Sequence, residues 1–289
     1  MQTKDVIHDL LIIKQILGIS DSLLAKELGI SRSTLNRWVT GESTASQSKV
    51  QSLYTYAYKR NVSINLIKSQ LYQDDYSKKE SKVIFHGSKY GIEGPIDLTK
   101  TNVKNDFGRG FYCDEKYSQA AMFVSSNSTP YVYILSFNQK NLKGVKFDVD
   151  TKWLIAIAYY RGRLEEYKNS DIIKQIVADV SSADYLIAPI ADNKMFSIID
   201  NFIDGDITDE ACKHALSASD LGYQYVLLSQ KAINSCKILS TCYLCDEERE
   251  KYHNSRIESM KEGNDKVKAS RIQYRNIGKY IDELLKGGE

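Results

Sequence analysis

The sequence predicts an α+β protein in which an all-α amino-terminal domain precedes a mixed-sheet domain. Residues 1–75 show helical spacing and no strand signal, whereas residues 82–245 contain strand-like runs and helices in irregular order. Such an order is typical of α+β domains rather than of alternating βαβ units. We therefore divide the chain into a helical domain at 1–75, a polar linker at 76–81 and a second domain at 82–289.

Length and charge limit the possible functions. A chain of 289 residues is long enough for two domains that each bury a core. Its 39 basic and 37 acidic residues give a net charge of +2, so any nucleic-acid contact must come from a local patch. Early acidic residues argue against a signal peptide, and no run approaches the roughly 20 apolar residues of a membrane span. We expect a cytoplasmic protein without a membrane partner.

The cysteine pattern points to reduced thiols. Five cysteines are an odd number for a disulfide framework. Cys242 and Cys245 form a CxxC pair, but zinc would need two further ligands, and only His214 and His253 are near. We therefore expect buried thiols and no metal.

Residues 22–38 carry the spacing of a helix-turn-helix. Ala25 is small where two helices would cross, and Gly29 can adopt a left-handed turn. Ser31 is placed to cap the second helix. The residues that would anchor this helix to a core are Ile30, Leu35 and Trp38.

This segment resembles the helix-turn-helix of phage-repressor-like proteins, including the Gly41-Glu42 exit and an amphipathic helix at 49–58. The resemblance implies that the second helix enters a DNA major groove. Its exposed residues, which suit phosphate and base-edge contacts, would be Arg32, Ser33, Thr34, Asn36 and Arg37. Two arginines are a small electrostatic footprint, so a helical hairpin for protein contact is the alternative. A homodimer would double that footprint.

Two short motifs open the second domain. Residues 82–85 are β-branched and aromatic enough for a buried strand that delivers His86, Gly87 and Ser88 to its carboxyl end. The second motif is FGRGFY at 107–112. A glycine leaves backbone N–H and C=O groups open to a primary amide, and the serine adds a hydroxyl donor. The tyrosine that ends the second motif can stack on a flat cationic ring.

HGS followed by FGRGFY resembles the paired motifs of the diphtheria-toxin and poly(ADP-ribose) polymerase branch of the ADP-ribosyltransferases. Residues 82–245 also resemble small bacterial proteins of that fold. The supporting stretches are Trp153-Leu154-Ile155 with Arg161, Ala188-Pro189-Ile190-Ala191-Asp192, and Gly222-Tyr223-Gln224-Tyr225-Val226. The resemblance implies an ADP-ribosyltransferase-like fold with NAD as the substrate.

The resemblance also assigns roles to individual residues. That branch is defined by a His, a Tyr and a Glu on three strands. The matching residues are His86 on the adenosine ribose, Tyr112 on nicotinamide, and Gln224 at the Glu position. Phe123 matches a second aromatic residue that closes the nicotinamide sandwich. The other residues expected to contact NAD are Gly87, Ser88, Arg109 and Gly110, with Lys104 as a further basic candidate near the pyrophosphate.

Gln224 departs from the family pattern, and the departure has a chemical consequence. Cleavage of the nicotinamide–ribose bond develops positive charge on the sugar, which a carboxylate stabilises better than a neutral amide. Loss of such a group typically costs on the order of a hundred- to thousandfold in rate, so we expect residual transfer rather than polymerase activity. Ordinary packing is the alternative for His86 and Phe123, and Gln224 could simply face the pocket edge.

The remaining elements are expected in irregular order. Helices are expected at 115–123, 153–164, 194–203 and 208–216, and strands at 131–137, 184–189, 225–228 and 236–243. The tail at 246–289 is densely charged, with one apolar stripe formed by Ile277, Ile281, Leu284 and Leu285. We expect the tail to pack as a helix on the second domain; a docking element for a partner is the alternative.

These expectations combine into one functional hypothesis. A mono-ADP-ribosyltransferase fused to a repressor-like DNA-binding domain would pass ADP-ribose from NAD to a protein or nucleic acid. By analogy, such a fusion fits a bacterial toxin or phage-defence component that regulates its own operon and has a small antitoxin partner. One alternative is a transcription regulator that senses NAD or ADP-ribose without turnover, which Gln224 favours. Another is an RNA-directed 2′-phosphotransferase, for which basic residues near the pocket are few.

Overall fold

The structure is a computed structural model that describes residues 3–77, 79, 81–128, 130–190, 193–217, 222–275 and 277–286. Those residues form thirteen α-helices and seven strands, so the predicted α+β class is confirmed. In chain order the elements are α1 (Thr3–Leu17), α2 (Asp21–Glu27), α3 (Arg32–Val39), α4 (Gln47–Tyr58), α5 (Ile64–Ser77), β1 (Ser81–Ser88), β2 (Phe111–Asp114), α6 (Tyr117–Val124), β3 (Tyr131–Asn138), β4 (Gly144–Lys146), α7 (Thr151–Tyr160), α8 (Asp171–Ser181), β5 (Tyr185–Pro189), α9 (Asn193–Ile203), α10 (Asp209–Ser217), β6 (Tyr223–Leu227), α11 (Gln230–Asn234), β7 (Cys236–Tyr243), α12 (Asp246–Gln273) and α13 (Ile281–Lys286).

The chain divides into two compact units. The first unit comprises Met1–Gly91, Tyr117–Phe137 and Lys237–His253. The second unit comprises Ile92–Lys116, Asn138–Cys236 and Asn254–Glu289. The predicted domains at 1–75 and 82–289 differ from these units, because the amino-terminal helices share the first unit with β1 and with most of β3 and β7.

The amino-terminal helices of the first unit contain the predicted helix-turn-helix. Gly29 adopts a left-handed φ of +60° between α2 and α3. Ser31 caps α3, because its Oγ accepts the backbone N–H of Thr34 at 3.1 Å. The residues predicted to pack behind this turn are buried or half-buried: Ala25, Ile30, Leu35 and Trp38. The local signals in the sequence therefore predicted this region correctly.

The polar linker predicted at 76–81 is shortened by a helix and a strand that extend into it, while Ser77 and Lys79 are exposed. Helix α5 continues to Ser77, and β1 begins at Ser81. Tyr72 and Tyr76 pack beside a buried cluster that includes Phe85. These two tyrosines are four residues apart and therefore share one helix face. Polar and charged residues surround them in the sequence, so the sequence analysis did not identify this face as apolar.

Buried polar contacts join the amino-terminal helices to β7 within the first unit. Lys68 Nζ lies 2.9 Å from Asp9 Oδ2, and both side chains are fully buried. Lys68 also donates to the carbonyl oxygen of Thr241 at 3.3 Å, and Asn65 donates to that of Tyr243 at 2.8 Å. These pairs join residues far apart in the chain, so sequence spacing alone did not predict them.

The second unit is built on four strands in the order β4-β5-β6-β2. Strand β4 runs parallel to β5, whereas β6 is antiparallel to both β5 and β2. Helix α7 is buried from Trp153 through Ala158 and forms the centre of the core. Strand β4 and helices α8 and α11 were not predicted, and β4 has only three residues.

The charged tail packs as predicted only in part. Ile281 and Leu285 of α13 are buried in the core cluster of the second unit, and Leu284 packs against that cluster. Ile277 lies before α13 and remains 52% exposed. The expected single stripe of four apolar residues is therefore wrong at its first position, since the chain does not continue as one helix there.

All five cysteines are free. Four are buried and Cys236 is half-buried, and burial raises the pKa of the Cys242 and Cys245 thiols to about 12. Across the described ranges, no group of three or more His, Cys, Asp and Glu side chains is arranged to hold a metal ion. No helix within those ranges combines the length and apolarity that crossing a bilayer requires.

Candidate functional sites

Helix α3 presents a polar outer face. Arg32, Ser33, Asn36 and Arg37 are exposed, and Thr34 is half-buried. The side chains of Ser33 and Thr34 lie 2.8 Å from Ser31 Oγ and so take part in the helix cap. The amide and the two guanidinium groups are therefore the long polar side chains on this face, as the sequence predicted.

A lysine behind this face stabilises the turn. Lys49 Nζ donates to the carbonyl oxygens of Leu28 at 2.7 Å and Gly29 at 3.3 Å. These carbonyls lie at the end of α2, where backbone acceptors lack helical partners. Lys49 thus fixes the angle at which α3 follows α2, a role that the sequence analysis missed.

In the first unit, the HGS motif forms the end of β1. His86 is half-buried, and its ring centroid lies 6.4 Å from that of Tyr133. A Cβ at Gly87 would lie 2.7 Å from the carbonyl oxygen of Ala120, so this glycine admits helix α6. Ser88 donates to the carbonyl oxygen of Gly91 at 3.1 Å. Backbone packing therefore accounts for a glycine at position 87 without any ligand.

Phe123 lies beside this motif rather than in the core. Its side chain is 54% exposed, and its ring edge would be 3.3 Å from a Cβ at Gly87. Lys89 Nζ lies 5.9 Å from the centroid of the same ring. The alternative that Phe123 is an ordinary core residue is therefore wrong, while its stacking role stays a prediction.

In the second unit, Tyr112 holds the FGRGFY turn in place. Its hydroxyl accepts the backbone N–H of Phe107 at 3.0 Å and donates to the carbonyl oxygen of Gly108 at 2.8 Å. Gly108 has a φ of +73°, which only glycine adopts readily. Burial raises the pKa of Tyr112 well above its usual value, so the hydroxyl stays protonated as a donor. Arg109 is exposed and donates to the carbonyl oxygen of Thr99.

An arginine directly after α7 fixes the same turn from the other side. Arg161 donates to Asp106 Oδ1 through Nη2 at 2.8 Å and through Nε at 3.0 Å. Its Nη1 lies 3.4 Å from Asp200 Oδ1. Asp106 directly precedes the FGRGFY motif, so this ion pair determines how the chain enters the turn. The sequence singled out Arg161 but assigned it no role, because its carboxylate partners are distant in the chain.

Gln224 shares one face of the sheet with Tyr112. In the antiparallel pairing of β2 and β6, Tyr112 is opposite Val226 and Asp114 is opposite Gln224. Opposed residues lie on the same face, as do residues two apart on one strand. Gln224 is buried and donates from Nε2 to the carbonyl oxygen of Pro189 at 3.2 Å. Asp114 also belongs to this face and was missed, although its spacing from Tyr112 could have revealed it.

The predicted NAD-contacting residues fall into two groups. His86, Gly87, Ser88 and Phe123 belong to the first unit, and Lys104, Arg109, Gly110, Tyr112 and Gln224 belong to the second. A Cβ at Gly110 would lie 2.5 Å from Val226 Cγ1, so this glycine admits strand β6. Contact of both groups with one NAD molecule stays a prediction. Ala191 and Asp192 of the supporting stretch lie outside the described residues.

A cavity of about 440 Å³ lies elsewhere in the first unit. Its lining includes Trp38, Ala45, Tyr131 and Tyr243, and none of the residues predicted to contact NAD. The volume of this cavity therefore has no bearing on the NAD-binding prediction.

Two protein-family models match separate parts of the chain. A helix-turn-helix model matches residues 13–53, in agreement with the turn between α2 and α3 and with the exposed face of α3. The chain thus contains an amino-terminal helix-turn-helix, a motif that many proteins use to bind DNA. The family described as "Protein of unknown function (DUF3990)" matches residues 82–238, more than half of the chain, and the chain belongs to that family. Neither a curated protein nor a solved structure matches it significantly.

Proposed function

We propose that the protein is a DNA-binding regulator whose DUF3990 portion transfers ADP-ribose from NAD to a protein or nucleic-acid acceptor. One observation carries the transferase part. Tyr112 and Gln224 share one face of the sheet, next to a glycine-rich turn that is held in a single geometry. A preorganised aromatic ring beside a polar amide suits a flat pyridinium ring attached to a ribose.

The DNA-binding part rests on α3. Its exposed Arg32, Asn36 and Arg37 can contact phosphates and base edges, while the opposite side of the helix anchors it to the unit. A homodimer would present two such helices to two half-sites. By analogy with other fusions of this kind, autoregulation of an operon, a role as a toxin or in phage defence, and a small antitoxin partner belong to this proposal.

The transferase part is tested with the purified full-length chain and NAD. Nicotinamide release is measured with and without cell extract as acceptor. Tyr112→Ala and His86→Ala should each abolish release, because each removes an expected NAD contact. Tyr280→Ala, in the same unit as Tyr112, is the matched control and should leave release unchanged. Failure of the wild-type protein to release nicotinamide under both conditions would contradict the proposal.

Gln224 favours a second candidate, a regulator that binds NAD or ADP-ribose without turnover. Its side chain is neutral, buried and already bonded to Pro189, so it can orient a ribose without stabilising a cation as a carboxylate does. Calorimetry distinguishes the two candidates. A sensor binds NAD and forms no product, and its affinity for DNA changes when NAD is bound, whereas an enzyme consumes NAD.

A further inference from the structure

We propose that Asp114 is the carboxylate that stabilises the positively charged ribosyl group, in place of the glutamate that Gln224 replaces. The inference rests on the proposed transferase function and adds a catalytic residue to it. Asp114 is the last residue of β2 and lies two residues after Tyr112. It belongs to none of the motifs named above, and its position relative to Tyr112 and Gln224 follows from the register of β2 and β6.

The register places Asp114 directly opposite Gln224. Directly opposed residues of an antiparallel pair have Cβ atoms about 4.5–5.5 Å apart and project from the same face. Tyr112, Asp114 and Gln224 therefore form a triangle on one face of the second unit. Asp114 is half-buried, whereas Gln224 is buried. This separation is short enough for a carboxylate to act where the matching glutamate would.

The 92–116 segment contains four other acidic residues, Glu93, Asp97, Asp106 and Glu115, and none of them lies within β2. Glu115 follows the strand, and its backbone N–H donates to the carbonyl oxygen of Tyr223 at 2.9 Å. Of this segment, Asp114 is the acid that the β2–β6 register places on the face of Tyr112.

The proposed step balances without any further reactant. The bond between ribose C1′ and the nicotinamide nitrogen breaks, and its electron pair neutralises the pyridinium nitrogen. Positive charge develops on the ribose, where the Asp114 carboxylate stabilises it and remains ionised. An acceptor lone pair then forms the new bond to C1′, and the acceptor proton passes to water. Gln224 orients the ribose hydroxyls through its amide.

The test compares Asp114→Asn with Glu115→Gln in the full-length protein. Both substitutions convert an acid to its amide at nearly constant volume, and only the first removes the proposed charge. For nicotinamide release, Asp114→Asn should lower kcat on the order of a hundred- to thousandfold with little change in KM for NAD. Glu115→Gln should retain wild-type kinetics. Gln224→Glu in the Asp114→Asn background should restore much of kcat, because it returns one carboxylate to the same face.

Each outcome distinguishes the inference from the proposed function. Wild-type kcat in Asp114→Asn would overturn the role of Asp114 and leave the transferase intact. An equal loss in Asp114→Asn and Glu115→Gln, without rescue by Gln224→Glu, would also overturn it. A wild-type protein that binds NAD and releases no nicotinamide would overturn the proposed function and the inference together. Calorimetric binding of NAD to Asp114→Asn verifies that the variant is folded.

Discussion

Two ion pairs, one in each compact unit, differ in how far they are buried. In the first unit, Lys68 and Asp9 are fully buried and join α5 to α1. In the second unit, Arg161 and Asp106 keep 15% and 16% of their side-chain surface exposed and lie beside a turn. Buried charge in the first unit therefore supports the fold, whereas partly exposed charge in the second unit shapes a candidate site. Substitutions should accordingly change stability in the first unit and ligand kinetics in the second.

The largest effect on stability is expected from Lys68→Met. The substitution leaves the Asp9 carboxylate buried without its ammonium partner, and breaking a buried ion pair from one side typically costs about 3–5 kcal/mol. Urea unfolding measures the loss. The control is Lys59→Met, which removes an ion pair at 3.2 Å between Lys59, 65% exposed, and Glu247. Exposed pairs contribute little, so the control should lose less than about 1 kcal/mol.

Both lysines belong to the first unit, and equal losses in the two variants would contradict the stabilising role of the buried pair. They would mean that Asp9 is relieved by solvent or protonation when Lys68 is absent. A double variant, Asp9→Asn with Lys68→Met, separates these cases. It should recover part of the stability, because neither position of the pair then carries a buried charge.

The second prediction concerns pH and again belongs to the first unit. Burial raises the pKa of Glu248 to about 7, although hydrogen bonds from Asn65 and Tyr117 partly favour its ionised form. The folded pKa thus exceeds the unfolded value, so the stabilising contribution is complete at low pH and is lost as pH rises through about 7. Between pH 5 and 8, Glu248→Gln should show a smaller fall in unfolding free energy than the wild type.

The falls in unfolding free energy of the wild type and of Glu248→Gln differ by at most about 3 kcal/mol, since one pKa unit corresponds to about 1.4 kcal/mol. The neighbouring Asp9 carboxylate raises the pKa of His8. Its contribution is present in both proteins and cancels in the comparison. Identical pH profiles for the two proteins would show that Glu248 does not bind a proton on folding.

The sequence predicted the features that depend on neighbouring residues. The turn at Gly29 and the cap at Ser31 lie within a few positions of the helices they define. The glycines of the FGRGFY motif likewise mark a tight turn, and Gly108 adopts a positive φ. Residue type alone restricts the backbone at such places, so one sequence is sufficient.

The sequence did not predict the features that depend on which segments meet. The pairing of Arg161 with Asp106 joins residues on different elements, and the ion pair of Lys68 with Asp9 does the same. Such pairs require the fold to be known first. Asp114 is an intermediate case, because the period of two along β2 already places it on the face of Tyr112. Only the β2–β6 register then shows that it lies opposite Gln224.

The third prediction concerns the turn of the second unit. Arg161→Lys keeps the charge but cannot reproduce the paired donation to Asp106 or reach Asp200 as well. The looser turn should raise KM for NAD by about tenfold and change kcat less, the reverse of Asp114→Asn. Hydrogen exchange at the Phe107 amide should also become faster, independently of turnover. The control is Arg163→Lys, since Arg163 pairs with Asp204 at 50% exposure. Unchanged exchange in Arg161→Lys would contradict a positioning role.

The smallest effect is expected at the cap of the candidate recognition helix. Ser31→Ala removes the acceptor for the Thr34 N–H and should lower the unfolding free energy by about 1 kcal/mol. Ser46 occupies the same position before α4 but makes no side-chain cap bond, so Ser46→Ala is a matched control with almost no loss. The Ser31 hydroxyl also contacts the side chains of Ser33 and Thr34, which belong to the candidate DNA-contacting face. Ser31→Ala should therefore reduce the free energy of DNA binding by more than it reduces the free energy of unfolding. Equal losses of stability in the two alanine variants would mean that solvent replaces the Ser31 cap, and that α3 is ordered by the burial of Leu35 and Trp38 alone.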